Sequence, residues 1–284
     1  MPPLRLAVLT AITMVAFAGN SLLCRLALKQ TAIDAASFTS LRILAGAVVL
    51  GILVRLRPSV RPGRGNWLSA LALFIYAAGF SFAYVSLPTG TGALVLFGAV
   101  QSTMIGYGLV RGERLLGWQF AGLGLAFAGL IILFLPGLSA PPLGSSLLML
   151  GAGTAWGVYS LRGRGQGDPT GVTAGNFLFA VPIAAALSLA LHQEMSFDRL
   201  GAIYAIASGA VASGLGYACW YTVLPALRAT TAATVQLSVP VIAAVGGILF
   251  LHEPFTWRLA VSAVAILGGI ALVVLNRPPA PKPS

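Results

Sequence analysis

Two side-chain amides buried deep in long apolar runs are the residues best placed to do chemistry in this chain. Gln101 falls near the centre of one run, and Gln236 within a turn or so of the centre of another; Asn20 and Asn176 lie off-centre in two more. An amide offers both donors and acceptors, so it can meet a carboxylate or an ammonium without a fixed charge. The same groups also serve as hydrogen-bonding glue between helices, worth about 0.6 kcal/mol on average. Aromatic residues recur at helical spacing. Tyr76, Phe80 and Tyr84 share one face, as do Tyr217, Trp220 and Tyr221, while Trp156 and Tyr159 are one turn apart. Rings with a polar tip suit a cavity for a partly apolar ligand. Tyr84 and Tyr221 lie near run ends and also fit an interfacial belt. Arg42 is the one basic residue well inside a run. It could capture a substrate carboxylate near an outer mouth, snorkel to the interface, or pair with Asp34.

These residues recognise; nothing suggests that they make or break bonds. No Asp or Glu falls mid-run, and His192 and His252 both sit near run ends. Metal chemistry would call for a His/Asp/Glu/Cys cluster, and serine chemistry for a base beside the nucleophile. The expectation is no enzyme, no cofactor and no metal. Cys24 and Cys219 lie inside apolar runs, away from any ligand pattern, and read as small packing residues.

The elements that must hold these groups are membrane helices. Only 8% of the 284 residues are charged and 58% are hydrophobic. Ten apolar runs follow one another: Leu6–Cys24, Ala36–Val54, Trp67–Leu87, Gly92–Val110, Gly117–Leu135, Gly144–Leu161, Val172–Leu191, Leu200–Val223, Thr231–Leu251 and Trp257–Leu275. Each is long enough to cross a hydrocarbon core of ~30 Å as a helix. The first run, with Arg5 before it and Ala16-Phe17-Ala18 within it, mimics a secretory signal. Its continuation through Cys24 favours a retained span. The fold class expected is therefore all-α, a polytopic bundle of ten transmembrane helices. No polar stretch is long enough for a soluble domain.

The net charge of +11 belongs to the lipid interface, and no nucleic-acid partner is expected. If the chain starts in the cytoplasm, twelve of its seventeen basic residues fall on that side, Arg55, Arg57, Arg61, Arg64, Arg111 and Arg114 among them. The positive-inside bias then places both termini in the cytoplasm. Pro182 and Pro240 fall near mid-helix and are expected to kink or interrupt their helices.

An internal repeat organises the ten runs. Glu113 matches Glu253 and Gly129 matches Gly269 at an offset of 140, and Tyr84-Val85-Ser86-Leu87-Pro88 echoes Tyr221-Thr222-Val223-Leu224-Pro225 at an offset of 137. This gives two five-helix units, residues 1–138 and 139–284. Five is odd, so the second unit must insert upside down, an architecture that secondary transporters use for alternating access. Glu113 and Glu253 then lie on opposite sides, each expected to cap the helix that follows it.

With these landmarks in order, the chain resembles the drug/metabolite transporter superfamily in its ten-helix EamA-type branch. The resemblance rests on Gly19-Asn20 with Arg25, on Ser40-Leu41-Arg42, on the turns at Glu113 and Glu253, and on Trp156-Gly157-Val158-Tyr159. It covers nearly the whole chain, and the YddG-like aromatic amino-acid exporters are the nearest type. One departure stands out: Val100 occupies the position that matches Pro240. The resemblance implies a metabolite exporter of a bacterial inner membrane, with a substrate cavity between two inverted halves; a monomer or weak homodimer is expected. Gln101, Tyr76, Phe80, Trp156, Tyr217, Trp220, Gln236, Asn20, Asn176 and Arg42 are the candidate substrate-binding residues. Amino acids, aromatic and other apolar ones included, are the leading cargo. Sugar phosphates, nucleotide-sugars and lipophilic drugs come next, and a channel or scaffold is the alternative class.

Overall fold

A computed structural model describes residues 1–56, 64–112, 117–135, 140–163, 168–227 and 229–275. Among these residues the secondary structure is helical and contains no strand. The elements are α1 (Pro3–Gln30), α2 (Ala35–Arg55), α3 (Trp67–Tyr84), α4 (Thr89–Val110), α5 (Gly117–Phe134), α6 (Leu143–Arg162) and α7 (Pro169–Ala190). They continue with α8 (Arg199–Ala207), a π-helical segment (Ser208–Leu215), α9 (Gly216–Val223), α10 (Ala229–Gln236), α11 (Ser238–Leu251) and α12 (Trp257–Leu275). Nine helices in the described residues are long and apolar enough to cross a membrane, with Arg199–Ala226 counted as one. The remaining one, α6, is diluted by Ser145, Ser146, Thr154 and Ser160, yet its 20 residues span about 30 Å. The chain is an integral membrane protein.

Few acidic residues are present, and the helix ends explain where they are. The Asp34 carboxylate accepts from Ala36 N and Ser37 N, both at 2.9 Å, and so caps α2. Asp168 caps α7 through Gly171 N at 2.8 Å, and Asp198 caps α8 through Gly201 N at 3.1 Å. Asn66 caps α3 through Ser69 N at 2.9 Å. Each satisfies amides that a helix start leaves without partners. Outward faces are apolar: Val8, Ile12 and Val15 of α1 are exposed at helical spacing, as lipid contact requires.

The two prolines behave differently. Pro240 removes the bond to the Gln236 carbonyl, and the ninth pass breaks there, α10 ending at Gln236 and α11 beginning at Ser238. Pro182 lies inside α7, which runs unbroken from Pro169 to Ala190, so the expected interruption is absent there. The eighth pass is also irregular, since Ser208–Leu215 takes a π-helical path between α8 and α9.

Packing follows a consistent plan. α2 lies on α7, α4 on α11, and α5 on α12. α3 packs on α6 and α7, while α1 packs on α8, the π segment, α9 and α11. α2 meets the π segment so closely that a Cβ at Gly209 would overlap the Arg42 carbonyl. Glycine at 209 is therefore a condition of where Arg42 sits. Both cysteines are free thiols.

Candidate functional site

Arg42 stands at the centre of the bundle. Its side chain neither snorkels to an interface nor pairs with Asp34: it is only 2% exposed, and Asp34 is engaged in capping α2. Its guanidinium lies 4.8 Å from the Phe80 ring centroid and 5.2 Å from that of Tyr76. Cation–π contact of this kind is worth about 2 kcal/mol when desolvated. Nη1 is buried and has no hydrogen-bond partner. The expected placement near an outer mouth gives way to one at the depth of Tyr76, midway along α3.

The rings around Arg42 come from both ends of the sequence. Trp156 of α6 lies 4.7 Å from Tyr76, 5.2 Å from Tyr159 and 5.2 Å from Tyr217, centroid to centroid. Trp156 and Tyr217 are nearly parallel, at 20°. Phe17 of α1 meets Tyr217 and Trp220 edge-on at 5.7 and 6.1 Å. Phe177 of α7 adds a further ring 6.1 Å from Tyr217. A separate cavity of 690 Å³ lies on the lipid side of α2 and α7, between Leu44, Val48, Gly51, Arg55, Gly175 and Phe179, away from the rings.

Asn20 fixes the polar edge of the cluster. Its Nδ2 donates to the Tyr76 hydroxyl at 3.2 Å, and its Oδ1 accepts from Ser208 Oγ at 2.6 Å. Ser208 opens the π segment, so the irregularity in the eighth pass is tied directly to the rings. π-turns are frequently found at functional sites.

Of the other candidates, Asn176 meets the cluster at its edge through Tyr159, while Gln101 and Gln236 sit on α4 and α10. Gln101 is buried on α4, on the face that carries Gly90, which packs against Ala244 of α11. Gln236 is half-buried at the end of α10. Asn176 serves the start of α3: its Oδ1 accepts from Asn66 N at 2.9 Å, and its Nδ2 faces the Tyr159 hydroxyl at 3.4 Å. Arg162 joins that group by donating to Ser69 Oγ and Asn66 Oδ1.

A second polar group closes the end of the bundle opposite Met1. Arg25 Nε lies 3.4 Å from Glu253 Oε1 and is the only ion pair among the described residues. Arg25 Nη1 donates to the carbonyls of Tyr84 and Val85 at 2.8 and 2.7 Å. Glu253 Oε2 accepts from Thr89 N at 2.8 Å. Glu253 therefore caps α4, whereas the sequence suggested that it caps the helix that follows it. His252 makes this reach feasible with its left-handed backbone, φ 53°, which turns the chain inward after α11. Gly247 leaves room, because a Cβ there would strike the Glu253 carboxylate. Tyr84 is buried here, with its hydroxyl 3.2 Å from the Thr89 carbonyl, so it is no interfacial belt residue. Glu113 lies outside the described residues.

Chemically, a buried guanidinium walled by rings and hydroxyls can hold an anion with an apolar body. Comparison with known proteins gives the family. The model of the EamA-like transporter family matches residues 143–275. An uncharacterized protein of Pseudomonas aeruginosa is 58% identical over 278 residues, covering 98% of this chain and 97% of its own. The chain belongs to the EamA-like transporter family. This places it in the drug/metabolite transporter superfamily. Within that superfamily, a protein of Escherichia coli named as a probable amino-acid metabolite efflux pump is 27% identical over 231 residues, covering 74% of this chain and 77% of that one. A solved structure at 20% identity shares the fold, with a TM-score of 0.65 over 93% of this chain and 96% of the other.

Several members of these two polar and aromatic groups were out of reach of sequence reading. Phe17 had no regular partner spacing, and Ser208 looked like one more small residue. Arg25 directly follows the first apolar run, Leu6–Cys24, and so carries no sign of burial in the sequence. The signal that could have flagged Arg25 is its place inside α1, whose 28 residues run five positions beyond it.

Proposed function

We propose that this EamA-like transporter is a secondary, facilitative exporter of amino acids, aromatic and other apolar ones included, working by alternating access. The observation that carries the reading is Arg42, buried among rings drawn from both parts of the chain with Nη1 unpartnered. Phe17, Tyr76 and Phe80 come from residues 1–138, and Trp156, Phe177, Tyr217 and Trp220 from 139–284. A site built across two units opens to one side or the other when those units rock.

Packing supports the inverted arrangement. Exchanging each of the first five passes with its counterpart five later turns the α3–α6 contact into the contact of α1 with the eighth pass, and α4–α6 into α11–α1. It leaves α2–α7, α4–α11 and α5–α12 unchanged. The name of the Escherichia coli relative favours amino acids as cargo. Sugar phosphates are disfavoured because they call for more than one free cation: Arg25 is held by Glu253, and among the described residues Arg42 alone faces the rings. The bias of basic residues toward the end carrying Met1 supports cytoplasmic termini in a bacterial inner membrane.

The experiment is counterflow. Purified protein in liposomes loaded with unlabelled phenylalanine, tryptophan or leucine should take up the labelled form saturably and transiently. Absence of counterflow across a full amino-acid panel refutes the cargo, and non-saturable flux points to a channel.

A further inference from the structure

We infer that this site reads the carboxylate of its cargo and does not require an ammonium, so that monoanionic acids with an aromatic or apolar body are substrates in their own right. The inference deepens the amino-acid reading and rests on it for the location of the site.

The polar atoms facing the rings are donors. Arg42 Nη1 is buried without a partner. The Tyr76 hydroxyl already accepts from Asn20 Nδ2 at 3.2 Å, which leaves its own proton to give. The strongest acceptor nearby, Asn20 Oδ1, is occupied by Ser208 Oγ at 2.6 Å. A guanidinium presents a planar fork that matches a carboxylate. A desolvated cation left without a partner is unfavourable, and an anionic cargo removes that penalty on binding.

Nothing comparable awaits an ammonium. The described carboxylates are all engaged or distant: Asp34, Asp168 and Asp198 cap helices, Glu253 holds Arg25 and Thr89 N, and Glu194 is exposed in the turn after α7. None faces Trp156, Tyr76 or Tyr217. A zwitterion therefore gains its fixed-charge contact from its carboxylate alone.

Three probes of one shape separate the head groups: L-phenylalanine, 3-phenylpropionate and phenethylamine. Titration calorimetry on the full-length protein in detergent should show 3-phenylpropionate binding at least as tightly as phenylalanine, and phenethylamine silent. Arg42→Gln should weaken both acids by about 10- to 150-fold, the loss expected when a hydrogen bond to a charged group disappears. Arg42→Lys should recover part of that affinity. Binding of phenylalanine but not 3-phenylpropionate overturns this inference and leaves the amino-acid reading standing. Binding of phenethylamine as tightly as the acids overturns it as well. If none of the three binds, the inference and the aromatic part of the amino-acid reading fall together. The comparison is made on the unaltered protein, so it holds even if the Arg42 variants fold poorly.

Discussion

Arg25 and Glu253 are 228 residues apart in the chain and 3.4 Å apart in the structure, and the second oxygen of that same carboxylate caps α4. The pair thus ties α1, the end of α3, the start of α4 and the turn before α12, Arg25 holding the Tyr84 and Val85 carbonyls and Glu253 the Thr89 amide. Removing Glu253 leaves a buried guanidinium without its counter-ion. Glu253→Ala should cost about 3–5 kcal/mol of stability, seen as a clear fall in melting temperature in detergent. The double variant Arg25→Met/Glu253→Met should recover much of it. An unchanged melting temperature for Glu253→Ala would show that the pair contributes nothing.

The rings and Gln101 make competing claims on the site. Trp156 touches Tyr76, Tyr159 and Tyr217 at once, whereas Gln101 shares the face of α4 that carries Gly90, which packs on Ala244 of α11. Trp156→Ala should reduce exchange of aromatic substrates by about 2- to 10-fold, from a lost aromatic contact of about 0.5–1.5 kcal/mol. Trp156→Phe should keep most activity, and Gln101→Ala should have the smaller effect. Initial rates in proteoliposomes decide; crippled exchange in Gln101→Ala beside normal exchange in Trp156→Ala would move the site to the α4–α11 interface.

Orientation can be read by labelling. With Cys24 and Cys219 replaced, single cysteines at Gly112 and at His252 should react with an impermeant reagent from opposite faces of sealed vesicles. Reaction of both from the same face would rule out the inverted arrangement.

Ion coupling follows from where the carboxylates are. Buried acids commonly bind the coupling ion in a driven carrier, and here Asp34, Asp168 and Asp198 are spent on helix ends. For a zwitterionic cargo, which carries no net charge, net flux should follow the substrate gradient and be indifferent to Na⁺. Replacing Na⁺ with choline in the counterflow assay checks this, and strict Na⁺ dependence would contradict it.

Much of this architecture was legible beforehand. The apolar runs located the passes because the bilayer demands them, and α12 spans Trp257–Leu275 as the sequence indicates. Tyr76, Phe80, Trp156, Tyr217 and Trp220 were marked by spacing alone and do cluster. Tertiary partners were not legible. Nothing local tells Glu253 that its amide partner is Thr89, 164 residues away. The π segment hides because Ser208–Leu215 keeps the same small, apolar composition that a regular helix would have. The depth of Arg42 also escaped, because depth depends on α2 seating against Gly209.

Asp34 gives a pH test outside the membrane core. Burial works to raise its carboxyl, but donors from Ser37, Ser196 and Ala36 outweigh it and hold the group below the usual carboxylate range. Its contribution to stability is therefore present above the ordinary carboxylate pKa of about 3.9 and fades as the pH falls through the lowered folded value. Melting temperature should be insensitive to this group from pH 5 to 8 and drop below about pH 4. Asp34→Asn, which can still cap α2, should flatten that acid limb; an identical acid limb in the variant would assign it to another group.

The lone guanidinium among the rings also has an electrical meaning. Arg42 is fixed to α2 and, among the described residues, has no acidic neighbour to carry a proton or a cation across with it. If the cargo is an anion held by Arg42, each cycle moves the charge of the cargo and nothing else. Across a membrane whose interior is negative, one elementary charge is worth about 2.3 kcal/mol per 100 mV. An anion leaving the cell gains that energy, equivalent to a concentration ratio of roughly 40- to 50-fold. The resting voltage would thus act as a ratchet for efflux, and a protein without a coupling site could still drive export against a gradient.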